Sequence, residues 1–79
     1  MVRKLRELRA DLRRVGYHLV PKRGKGDHEW WSHPLMPDVK VSLDGRNGDD
    51  ARHYQETQVA AALAAARAAV TERQRRGEQ

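Results

Sequence analysis

His28-Glu29-Trp30-Trp31-Ser32-His33-Pro34-Leu35-Met36-Pro37-Asp38-Val39-Lys40-Val41-Ser42-Leu43 reads as two strands around a turn. Val39 to Leu43 alternates apolar with polar, so one face of that strand is buried and the other is wet. Pro34 and Pro37 place the turn at residues 34–38, because proline donates nothing to a ladder. Upstream, Tyr17-His18-Leu19-Val20 is a further short strand stopped by Pro21. Lys22-Arg23-Gly24-Lys25-Gly26-Asp27, with two glycines and three cations, is the hairpin loop between the two. Three antiparallel strands are expected.

Helices are predicted on either side. Leu5, Leu8, Leu12 and Val15 recur at spacings of three and four, the stripe of a helix from about residue 2 to residue 15. Gly16 ends it where a left-handed cap is cheap. Turning 100° per residue puts Arg3, Arg6, Arg13 and Arg14 opposite that stripe, with Lys4 and Arg9 on the flanks, so the exposed face is an arginine surface. Residues 44–50 hold Gly45, Asn47 and Gly48 and read as a loop, with Asp49 or Asp50 placed to cap a second helix. From about residue 51 to residue 73 the alanines favour helix, with Val59, Leu63, Ala66 and Val70 as its apolar stripe. Residues 72–79 are polar and are expected to fray.

The fold expected is therefore α+β, in the order α-β-β-β-α, with both helices on one face of the sheet. That is the order of the double-stranded-RNA-binding fold, and order alone does not assign a function. A chain of 79 residues has room for one core. Residues 1–72 are read as a single domain and 73–79 as a tail. With no Phe, two Trp and two Tyr, that core is thin, which makes a protein partner plausible.

The absence of Cys excludes disulfides, thiolate zinc sites and thiol nucleophiles. No apolar run approaches a signal-peptide core or a membrane span, so a cytoplasmic protein without membrane attachment is expected. The net charge of +5 is uneven: residues 1–25 hold nine Lys or Arg against Glu7 and Asp11, whereas residues 26–52 hold three against six acids. A cationic surface of this kind concentrates polyanions, although it is also what a merely solubilising face looks like.

The four histidines titrate nearest neutrality. His28 and His33 lie five apart in one strand and fall on opposite faces, and His18 and His53 lack partners at ligand spacing, so no metal centre is expected. Neither Ser nor Thr occurs in a nucleophile-elbow pattern. Proton transfer remains. RNA carries its own nucleophile in the 2′-hydroxyl, so cleaving it needs only a group that moves protons and cations that hold the phosphate. A histidine beside a basic loop meets that minimum, without a cofactor.

Gly26-Asp27-His28-Glu29-Trp30-Trp31-Ser32-His33-Pro34 resembles the Gly-Ser-His-His-aliphatic-aromatic-basic-His-Pro segment of HicA toxins, the messenger-RNA interferases of toxin–antitoxin pairs. The likeness extends over about residues 4–66 and includes the helix ending in Gly16, Tyr17, the Val-x-Val-x-Leu strand and the polar loop before the last helix. Gly26, His28, Trp31, His33 and Pro34 match, while Asp27, Glu29 and Ser32 depart. The resemblance implies that His28 is the catalytic residue of an endoribonuclease, acting as general acid or base, and that a HicB-type antitoxin is the protein partner. Lys22, Arg23, Lys25, Arg6 and Arg13 are the expected phosphate-binding residues.

Only one of the two tryptophans can point into the core. If Trp31 does, His28 and Trp30 face solvent together near Lys40 and Ser42, and Trp30 can stack on an unpaired base. If Trp30 does, His28 is a half-buried strand-end histidine. Two other readings fit the same fold: a non-catalytic RNA-binding module, which Asp49 and Asp50 at the start of the last helix weaken, and an inactive relative acting through a protein partner, for which an exposed Trp30 is the anchor.

Overall fold

Trp31, Val41 and Leu43 turn the same way from adjacent strands and are buried against Leu5, Leu8 and Leu12 of the first helix and Val59, Ala62 and Ala66 of the last. The alternation of residues 39–43 demands this arrangement, since half of that strand must be dry. The computed structural model describes residues 2–21 and 28–77. Its elements run in the order α1 (Leu5–Arg14), β1 (His18–Leu19), β2 (Glu29–His33), β3 (Met36–Leu43) and α2 (His53–Gly77). The strands form one antiparallel sheet in the order β1-β2-β3. The α+β architecture read from the sequence is the one observed.

The boundaries differ from the expected ones for local reasons. Lys4 is extended and bridges Asp50, so α1 begins at Leu5 rather than near residue 2. The open N–H groups of its first turn are taken up by the loop before α2, with Leu5 donating to the Asp49 carbonyl and Arg6 to the Asn47 carbonyl. β1 keeps only two of the four expected residues. The turn shrinks to Pro34 and Leu35, and β3 starts at Met36. Residues 37–39 are extra on β3, because Ser32 pairs with Lys40 while the next residue, His33, pairs with Met36. Pro37 is tolerated in this bulge of an edge strand, where no ladder donor is needed.

Neither Asp49 nor Asp50 caps α2. The Gln55 side chain accepts the Arg52 N–H at 2.8 Å and does that work, while Asp49 accepts from the Arg46 N–H and Asp50 pairs with Lys4. Residues 72–77 are helical, with Glu72 facing Arg75 and Arg76 one turn on. The buried line of α2 is Gln55, Val59, Ala62 and Ala66, whereas Leu63 is only partly covered and Val70 is largely exposed. Alanines let α2 come close, and the Tyr17 hydroxyl donates to the Ala62 carbonyl at 2.9 Å.

His33 is part of this core. Its Nε2 donates to the Val15 carbonyl at 2.8 Å, and its Nδ1 accepts the Leu35 N–H at 3.1 Å, which fixes the neutral Nε2–H tautomer. Its ring meets Tyr17 edge-on at 5.0 Å. Gly16 has φ +105°, and a Cβ there would stand 2.8 Å from His33 Nε2. Gly16→Ala therefore combines left-handed strain with a clash against a fixed ring, and is expected to lower unfolding free energy by about 2–3 kcal/mol in urea titrations.

Burial pushes the Tyr17 hydroxyl above its usual titration range. The unfolded chain thus releases this proton first, so the stability Tyr17 contributes is complete below about pH 10 and is lost as pH rises beyond it. Tyr17→Phe is expected to flatten the alkaline fall of the melting temperature relative to the parent.

Candidate functional site

The sheet has one covered face and one open face, and the paired residues sort onto them. Trp31 is 1% exposed and Trp30 is 49% exposed, so Trp31 is the tryptophan that enters the core. Trp30 stands opposite Ser42 on one side, and on the other its carbonyl accepts the Val20 N–H at 2.8 Å. His28 is exposed one residue before β2, and the strand's alternation carries it to the Trp30 face. Ser32 lies two residues beyond Trp30 on that face, between His18 of β1 and Lys40 of β3.

Glu29 comes directly after His28 and turns the other way. Its carboxylate accepts from Arg9 Nε at 2.6 Å and from the Trp31 indole N–H at 3.1 Å. Arg9 also donates to the Asn47 side-chain oxygen at 2.6 Å and to the Gly45 carbonyl at 2.7 Å. Arg9 is 7% exposed and is thus not part of the helix surface, contrary to its place on the helical wheel. One guanidinium ties α1 to β2 and to the loop before α2. The negative charge next to His28 is compensated beneath the sheet, and the start of β2 is held in register from below.

Arg6 and Arg13 are exposed on α1, which belongs to the covered side of the sheet. The Arg13 guanidinium lies 4.9 Å over the Trp31 ring, and Arg3 pairs with Asp11 at 2.7 Å. Hydrogen bonding to Asp11 raises the Arg3 pKa. The structure therefore leaves His28 and Trp30 both exposed near the start of β2 but sets Arg6 and Arg13 on α1, on the covered side of the sheet. Lys22, Arg23 and Lys25 lie outside the described residues, as does Asp27.

His18 and Val20 also belong to the open face, and no pattern in the sequence marks them for it. Their face depends on how β1 registers against β2, and nothing within the His18–Leu19 pair itself carries that information. Among the described residues no three His, Asp or Glu side chains converge as metal ligands, and no helix is long and apolar enough to cross a membrane. A shallow groove between α1 and α2, floored by Leu8, Val59 and Leu63, is on the helix side, away from His28. His18, Trp30 and Lys40 are instead exposed on the open face of the sheet, which suits a polymer laid across strands better than an enclosed small molecule. No family model matches this chain, and no curated protein or solved structure matches it.

Proposed function

We propose that this chain is a HicA-like endoribonuclease, the toxin of a toxin–antitoxin pair, which cleaves messenger RNA in the cytoplasm without a metal ion. The observation that carries this reading is the shared exposure of His28 and Trp30 on the open face, with Glu29 turned under the sheet and neutralised by Arg9. In the reaction the 2′-hydroxyl oxygen attacks the adjacent phosphorus and the 5′-oxygen departs. A 2′,3′-cyclic phosphate and a 5′-hydroxyl result. His28 takes the 2′-hydroxyl proton or supplies the proton to the leaving oxygen, and Trp30 stacks on a neighbouring base. A HicB-type antitoxin would silence the enzyme by covering this face.

A non-catalytic RNA-binding module gains from one finding. Asp49 and Asp50, the acids that opposed it, are engaged with the Arg46 backbone and with Lys4, while Arg46 in the preceding loop and Arg52 directly before α2 are exposed. The two readings separate by titration. A single strand made uncleavable by 2′-O-methyl groups is expected to quench Trp30 fluorescence, and Trp30→Phe is expected to remove the quench while buried Trp31 still emits. Duplex RNA binding with a steep salt dependence, no quench and no cleavage of ordinary RNA would favour the module instead.

A further inference from the structure

Beyond Trp30, the open face carries a second polar row. His18 of β1, Ser32 of β2 and Lys40 of β3 are consecutive cross-strand partners, and His18 and Lys40 are both exposed while Ser32 between them is buried. Side chains directly opposite on neighbouring strands share a face, so the imidazole and the ammonium flank the short Ser32 side chain from either side. Lys40 Nζ donates to the Pro37 carbonyl at 3.0 Å, which anchors it at the β3 bulge and leaves two further N–H donors.

We propose that His18 and Lys40, on either side of buried Ser32, form a phosphate-binding subsite for single-stranded RNA lying lengthwise along β2. This rests on the ribonuclease reading for the identity of the polymer. A strand advances about 6.7 Å per two residues, so positions 28, 30 and 32 are equally spaced over about 13 Å of one face, with exposed His18 and Lys40 flanking the last of them. An extended RNA strand with its scissile phosphate at His28 places the adjoining base on Trp30 and a backbone phosphate further along at the His18–Lys40 row. The row offers donors and cationic charge without a carboxylate among its three members, which is the chemistry of a phosphate clamp rather than of base readout. A duplex does not fit this track, because its bases are not available to Trp30. The subsite thus makes single strands of several nucleotides the substrate class, and makes chain length on one side of the cut a determinant of affinity.

The experiment compares 2′-O-methyl oligonucleotides of two and six nucleotides, with the two-nucleotide probe too short to reach the row. Binding is followed by fluorescence anisotropy across a salt series, for the full chain and for His18→Gln/Lys40→Gln. The parent is expected to hold the longer probe more tightly. The double variant should weaken that probe roughly tenfold, reduce its salt slope by about 1 and leave the short probe unchanged. Equal weakening of both probes, unchanged binding of the longer one, or no RNA binding by the parent overturns the subsite. An unaltered far-ultraviolet circular dichroism spectrum shows that the variant is folded. Because binding is read without cleavage, length-dependent binding by a parent that never cuts RNA would defeat the ribonuclease reading and leave the subsite standing.

Discussion

His28→Ala is expected to slow RNA cleavage by a factor of about 10²–10⁴, the range a positioned proton-transfer group supplies. Its effect on folding should be small, because His28 is exposed, lies one residue before β2 and is not a member of the buried cluster. The loss should fall on kcat rather than on KM, since the phosphate contacts are made by other residues. His33→Ala is the informative contrast. That histidine is buried, bonded at both ring nitrogens and packed on Tyr17, so its removal should reduce stability first and activity only as a consequence. A rate for His28→Ala within twofold of the parent would remove the residue from the chemistry.

Arg9→Met should be the most damaging substitution for the fold, at about 3 kcal/mol in urea unfolding. Its guanidinium serves three acceptors from three segments: Glu29, Asn47 and Gly45. The methionine fills much of the space and donates nothing, so Glu29 is left partly buried beside the Trp31 indole alone. Glu29 keeps some contact with solvent, which holds the cost at the lower end for a broken buried pair. For a domain of this size that loss lowers the melting temperature by more than about 10 °C. Arg9→Met/Glu29→Gln should recover part of it, because the stranded charge is gone; additive losses would show that the pair is not coupled.

The elements of the fold are legible from residue spacing because each carries its own signal: the Leu5, Leu8, Leu12 stripe, the alternation through Leu43, and the alanines of α2. Ends are less legible, since they are set by distant partners. The Lys4–Asp50 bridge starts α1 late, and Gln55 rather than an aspartate caps α2. Arg9 reads as a surface residue because charged side chains are rarely buried, and its three acceptors come from positions 20 to 38 residues away with no local mark. At the site, alternation pairs His28 with Trp30 but leaves both faces open for the pair. Burial of Trp31 between the sheet and α1 resolves the choice. His18 joins the face only through the register of β1 against β2, a long-range property.

The ribonuclease reading is tested most directly by the chemistry of the ends produced when the purified chain is incubated with a single-stranded messenger transcript in excess chelator. Cleavage that leaves 2′,3′-cyclic phosphate and 5′-hydroxyl ends, and that His28→Ala abolishes, is the predicted result. An intact transcript, or ends bearing a 5′-phosphate, would contradict it.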